Sequence, residues 1–179
     1  MTRTGNVYGQ GLYALAKEER LEGEILQQLQ VLEECFGKDP EYLKLLASSN
    51  VPKQERIAIL DRTFAEKLHP YVLNFLKLLT EKGYIRHFSS CCQAFLENYR
   101  QDNGILAVQA ISAVALSEEQ KEKLVKKLEV ITGKRIELLC KVDPKVLGGM
   151  RLSFDGKQVD GTVQGRLQAM EKQLKNTVI

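Results

Sequence analysis

At 179 residues, with 44% hydrophobic and 27% charged side chains and a net charge of +3, the chain has the make-up of a soluble protein with one or two compact domains. No apolar run approaches the roughly 20 residues that cross a bilayer, and the N-terminus lacks the apolar core and cleavage site of a secretion signal, so a cytosolic setting is expected. Charge is uneven: 13 basic face 14 acidic side chains up to residue 104, and 13 face 9 beyond it, an excess of +4 that is too small to demand nucleic acid.

Up to about residue 103, apolar residues recur at helical spacing. Val7 to Lys17 is a predicted first helix, and Leu21, Ile25, Leu29 and Leu32 step along one face of a second. Gly37, Asp39 and Pro40 break the pattern; Asp39 is placed to cap a third helix that starts at Pro40 and carries Tyr42, Leu43, Leu45 and Leu46. After a stop at Ser48 to Pro52, a fourth helix has Ile57, Leu60 and Phe64 on its predicted buried side. Pro70 opens a fifth, ended by Gly83, and Ile85 to Arg100 is a sixth with Phe88, Cys92, Phe95 and Leu96 inward. Six short helices with short connections predict a helical bundle over residues 1–104.

At Gln101-Asp102-Asn103-Gly104 the period changes from helical to alternating. Leu106, Val108, Ala110, Val114 and Leu116 predict a strand with one slip at Ser112. Ser117 to Gln120 is a capping box for a helix with a predicted buried stripe of Leu124, Leu128 and Ile131, stopped by Gly133. Alternation returns at Ile136 to Val142 and at Met150 to Phe154. Asp155-Gly156 is a two-residue hairpin signal, with a return strand over Lys157 to Val159. Asp160 is placed to cap a last helix lined by Val163, Leu167, Met170 and Leu174. The fold class is therefore mostly α: an N-terminal six-helix bundle, then a small α/β domain with a mixed sheet over residues 105–179.

Chemistry-bearing patterns are sparse. The Gly133-Lys134 and Gly156-Lys157 pairs fail the phosphate-loop spacing, with Leu128 and Arg151 where a first glycine is needed. Cys35, Cys91, Cys92 and Cys140 have no Cys-x-x-Cys spacing, and His69 and His87 have no partner histidine at ligand spacing, so packing cysteines and ordinary histidines are expected. Cys91 or Cys92 could contact His87 on one helix, but no third orienting group is evident. Catalytic, cofactor-binding and metal residues are all expected to be absent. The glycine pair Gly148-Gly149 is expected to permit a bend before the third strand.

Four stretches carry a family resemblance. AISAVALSEEQ from Ala110 to Gln120, VDPKVLGGM from Val142 to Met150, DGTVQGRL from Asp160 to Leu167, and Tyr8-x-x-Gly11-Leu12-x-x-x-Ala16 together resemble the delta subunits of bacterial F-type ATP synthases, a family related to the mitochondrial oligomycin-sensitivity-conferring protein. Departures are Gly9 and Gly11, where the family usually has alanine, and Thr162, where it often has serine. Each glycine is expected to weaken the first helix by about 1 kcal/mol relative to alanine.

The resemblance implies a non-catalytic stator without cofactor, tying the catalytic head to the membrane-anchored peripheral stalk. The N-terminal domain would bind N-terminal helices of alpha subunits, and the C-terminal domain the b-type stalk subunits. Membrane association would arise only through the complex, at the cytoplasmic face of the cell membrane. Helix five is apolar over most of its circumference from Tyr71 to Leu79, more than one inward stripe requires, and Gly11 and Ala14 expose backbone on helix one. On the residues alone, burial of both helices in the bundle is the simpler explanation. With the resemblance, a groove for an amphipathic helix is expected at Tyr8, Gly11, Leu12, Leu15, Tyr71 and Leu78.

For the stalk contact, Lys121, Lys126, Lys127, Arg151, Arg166 and Lys172 are the candidate cations. The alternative from another class is an RNA-binding protein using the basic C-terminal half. Phe154, the only aromatic beyond residue 100, offers little for base stacking.

Overall fold

Thr2 opens the first helix, its hydroxyl accepting the Gly5 amide at 3.1 Å, and α1 runs over Arg3–Glu18. That start lies four residues before Val7, because the cap satisfies one of the orphan amides of the first turn in spite of two poor helix formers, Gly5 and Asn6. Then come α2 (Glu22–Lys38), α3 (Pro40–Ala47), α4 (Lys53–Phe64), α5 (Pro70–Glu81), a 3-10 turn over Ile85–His87, and α6 (Phe88–Asp102). The Asp39 carboxylate accepts the Tyr42 amide at 3.3 Å, as the Asp-Pro signal predicts. The computed structural model describes residues 2–146 and 148–162.

The chain divides into two units, Met1–Tyr99 and Arg100–Ile179. In the first, Ile25, Leu29, Leu32, Leu46, Leu60, Leu76, Leu79, Phe88 and Phe95 are among the side chains fully withdrawn from water. Each such burial contributes about 1.5–3 kcal/mol, so this core is the main source of the unit's stability. Phe36 meets Tyr42, Phe64 and Phe88 with ring centroids 5.9, 6.5 and 5.1 Å away, holding α2, α3, α4 and α6 together. On α4, the predicted buried Ile57 is only half-buried, and Arg56 is turned in instead. Its guanidinium Nη1 donates to the Leu46 carbonyl at 2.9 Å, supplying a donor to the C-terminal end of α3, where carbonyls lack helical partners.

Two glycines of α1 lie against α6. A Cβ on Gly9 would stand 2.4 Å from the Cys91 carbonyl oxygen and 2.8 Å from the Ala94 Cβ, and one on Gly5 would stand 2.5 Å from the Ser90 Cβ. Gly9 is therefore the condition for backbone-close packing of these helices, and its local cost is offset by that contact. Gly11, two residues on, has nothing within 4 Å of the corresponding position.

The second unit contains β1 (Ile105–Ser112), α7 (Glu118–Thr132), β2 (Arg135–Val142), β3 (Met150–Phe154) and β4 (Lys157–Asp160). Strand order is β2-β1-β3-β4, with β1 and β2 parallel and the other pairs antiparallel. The α7 crossover is what allows the parallel pair. Leu106 and Val108 on β1 pack with Leu128 on α7, and Leu124, Ile136, Leu138, Leu152 and Phe154 surround them. The capping box is complete: the Gln120 amide donates to the Ser117 hydroxyl at 3.3 Å, and the Ser117 amide to the Gln120 carboxamide oxygen at 3.0 Å. Asp155 and Gly156 both have positive φ, 46° and 70°, matching the hairpin signal.

The second unit departs from the sequence expectation at Val114 and at Ile131. The strand does not continue through Val114, which is 71% exposed; β1 ends at Ser112, whose buried hydroxyl donates to the Val114 carbonyl at 2.7 Å and turns the chain away. Ile131 is 79% exposed rather than part of the buried stripe, because the apolar cluster extends along α7 only as far as Leu128. Gly148 and Gly149 have φ of 79° and 83°, and a Cβ on Gly149 would stand 2.5 Å from the Gly161 carbonyl oxygen, so the pair lets the chain turn closely past that segment. Asp160 accepts the Thr162 amide at 2.9 Å and its hydroxyl at 2.6 Å. The helix predicted beyond it, with Val163, Leu167, Met170 and Leu174, lies outside the described residues.

Candidate functional site

Along α1, positions 8, 11, 12 and 15 share one arc of the helix surface, and along α5 positions 71, 74, 75 and 78 do the same, each at a spacing of three or four residues. These two arcs line a cavity of about 360 Å³. All six residues predicted from the sequence are in its wall: Tyr8, Gly11, Leu12 and Leu15 from α1, Tyr71 and Leu78 from α5. Val7, Asn74 and Phe75 complete it and were not singled out from the sequence; the regular α5 spacing would have found Asn74 and Phe75. Ala14 is exposed and falls just beyond the α1 arc.

The wall is apolar yet open to water. Val7, Leu15 and Leu78 are 62%, 38% and 39% exposed, whereas Val72, Leu73, Leu76 and Leu79 on the rest of α5 are buried in the core. Helix five thus has apolar residues on two sides, one filling the bundle and one left to line the cavity. Gly11 contributes bare backbone, so an incoming helix can approach α1 closely there.

Aromatic contacts hold the walls. The Tyr8 ring lies 5.7 Å from Tyr84, which lies 6.3 Å from His87. On the other wall, the His69 ring is 4.9 Å from Tyr71, and His69 Nδ1 accepts the Tyr71 amide at 3.3 Å as the N-cap of α5. The His69 amide in turn donates to the Gln28 side-chain oxygen at 2.8 Å, anchoring this helix start to α2. Both histidines therefore have structural surroundings.

Among the described residues lining the cavity there is no carboxylate, imidazole, amine, thiol or aliphatic hydroxyl; its titratable side chains are the phenols of Tyr8 and Tyr71, with no acid–base partner beside them in the lining. Cys91 and Cys92 are buried elsewhere in the bundle. Burial pushes the Cys91 thiol up to about 11, and burial, reinforced by the charge of Glu33, raises Cys92 further. Neither is a thiolate nucleophile at neutral pH. In the native chain at pH 8, a thiol reagent is expected to label exposed Cys35 first, and Cys91 and Cys92 only after denaturation. Rapid native labelling of the pair, read by peptide mass, would contradict that burial. Among the described residues no group of three or more His, Cys, Asp or Glu could hold a metal ion, and no helix is long and apolar enough to cross a membrane.

Several cations of the second unit are already paired. Lys121 meets Glu118 at 2.7 Å and Lys123 meets Glu119 at 2.6 Å. Arg151 meets Asp160 at 3.2 Å across β3 and β4, and Arg100 makes a two-pronged contact with Glu137 at 2.8 Å. The hydrogen bond from Thr162 is the main reason the Asp160 carboxyl is held below its ordinary range. Of the predicted stalk cations, Lys126 and Lys127 have no ion pair among the described residues, while Arg166 and Lys172 lie outside them.

Residues 5–174 match the family described as ATP synthase delta (OSCP) subunit. A relative from Prochlorococcus marinus (strain MIT 9301), named ATP synthase subunit delta, is 30% identical over 164 residues, 91% of each chain. Another of the same name from Desulfitobacterium hafniense (strain Y51) is 29% identical and covers 94% of each. Among solved structures, a chain of the Toxoplasma gondii mitochondrial ATP synthase hexamer shares the fold, with a TM-score of 0.73 at 21% identity over 97% of this chain and 98% of that one. The RNA-binding alternative gains no support from these likenesses.

Proposed function

The chain belongs to the ATP synthase delta (OSCP) subunit family, and from that premise we propose that it is a non-catalytic stator subunit that links the catalytic alpha/beta head to the b-type peripheral stalk and resists torque during proton-driven ATP synthesis. Residues 1–104 bind N-terminal helices of the alpha subunits, and residues 105–179 bind the stalk. The subunit sits at the cytoplasmic face of the cell membrane through the complex alone.

The observation that carries this reading is the open apolar cavity between α1 and α5. A helical segment with apolar residues at three- and four-residue spacing would bury Val7, Leu15 and Leu78, which are exposed in the isolated chain, and reach bare backbone at Gly11. Static attachment needs strong contact at more than one point and no reacting group, and the described wall is apolar apart from Asn74 and the phenols of Tyr8 and Tyr71. On the second unit, Lys126 and Lys127 are the described candidate cations left for an acidic stalk surface.

The experiment is a pull-down from detergent-solubilised membranes of the source organism with the full-length chain as bait. Recovery of both alpha and b-type subunits is expected. Retention of neither, with the bait folded by circular dichroism, would overturn the linking role.

A further inference from the structure

Asn74 stands in the middle of the α5 wall, one turn from Tyr71 on one side and from Leu78 on the other. It is exposed, and its carboxamide has no hydrogen-bond partner among the described residues. Of the described residues lining the cavity it alone has a wholly polar side chain, since Tyr8 and Tyr71 carry their hydroxyls at the ends of apolar rings. Asparagine is also a poorer helix former than leucine or alanine, so at this mid-helix position it costs the isolated unit stability and gains no internal bond in return. Such a local conflict points to a use outside the chain's own fold.

A helix laid into the cavity removes water from this carboxamide. Left unmatched, the buried group opposes binding; matched by another carboxamide or a hydroxyl, both its donor and its acceptor are satisfied. A single buried asparagine in an otherwise apolar helical seam is an established means of fixing register. We propose that Asn74 sets the register and selectivity of the cavity: the docked helix carries a hydroxyl or carboxamide side chain within its apolar stripe, seated against Asn74. This rests on the reading of the cavity as a helix-docking site.

The test titrates the full-length chain, wild type and Asn74→Leu, with a synthetic peptide of the N-terminal segment of the alpha subunit from the same synthase. Each Ser, Thr, Asn or Gln in the peptide's apolar stripe is replaced by Leu in turn. One replacement is expected to weaken binding to the wild type about tenfold and not to weaken binding to Asn74→Leu. The variant is expected to bind the unsubstituted peptide about tenfold more weakly, yet to unfold at the same temperature as wild type or higher. An unchanged ratio of wild-type to variant affinity across all peptides, a stripe with no such polar residue, or a destabilised variant would overturn the assignment while leaving helix docking intact. A wild-type chain that binds no form of the peptide would instead overturn the docking reading, and the role of Asn74 with it.

Discussion

Gly11→Leu is expected to lower the affinity for an alpha-subunit N-terminal peptide by about 100-fold or more, the scale of losing a central interface anchor, without unfolding the helical unit. The separation of these effects follows from the space around Gly11. A Cβ there meets nothing within 4 Å, so the fold accommodates the new side chain, while its outer atoms occupy the cavity between Tyr8, Leu15, Tyr71 and Leu78. Replacing glycine inside a helix also stabilises that helix by about 1 kcal/mol, so thermal unfolding should stay level or rise. Peptide titration by calorimetry, paired with a melt of the same sample, reads both. Affinity within a factor of about two of wild type, well under the 1.4 kcal/mol that makes a tenfold change, would show that nothing approaches α1 at Gly11.

Gly9→Ala is expected to act in the opposite sense on stability. Helix propensity alone would make the substitution stabilising by about 1 kcal/mol. The added methyl, however, would stand 2.4 Å from the Cys91 carbonyl oxygen, a backbone atom that cannot rotate aside, and 2.8 Å from Ala94. Relief requires α1 to move away from α6, and overpacking of this kind costs about 1–3 kcal/mol, with the upper part of that range expected against a backbone atom. The net loss should be about 1–2 kcal/mol once the propensity gain is set against it. A unit of this size then melts roughly 5–15 °C lower. Because α1 supplies one wall of the cavity, peptide affinity should fall as well. A variant that melts at or above wild type would show that α1 and α6 are not in backbone contact at this point.

These two glycines also mark the limit of what the sequence makes legible. Both read as weak points in a predicted helix, and only packing separates them: one is held against α6, the other opens onto the cavity. Signals that act within a few residues were readable, as at Asp39-Pro40, Pro70, the Ser117 capping box and Asp155-Gly156, because a cap or a turn is satisfied locally. Helical spacing joined to a family likeness points to six of the nine lining residues, and all six line the one cavity, four from α1 and two from α5. Asn74 carries no apolar signal, so the pattern that marks the rest of the α5 wall does not mark it. Errors at Ile57, Val114 and Ile131 have a common origin. Periodicity tells which residues share a face, but how far that face is covered, and where the pattern stops, depends on contacts it does not encode, such as Arg56 of α4 with Leu46 of α3 and the turn that Ser112 makes with Val114.

The most direct measurement of the stator role is proton-driven ATP synthesis by the reconstituted synthase after removal of this subunit and again after its return. Synthesis should be lost on removal, recover with the wild-type chain, and recover poorly with Gly11→Leu. Undiminished synthesis in its absence, with depletion verified by mass spectrometry, would contradict the account.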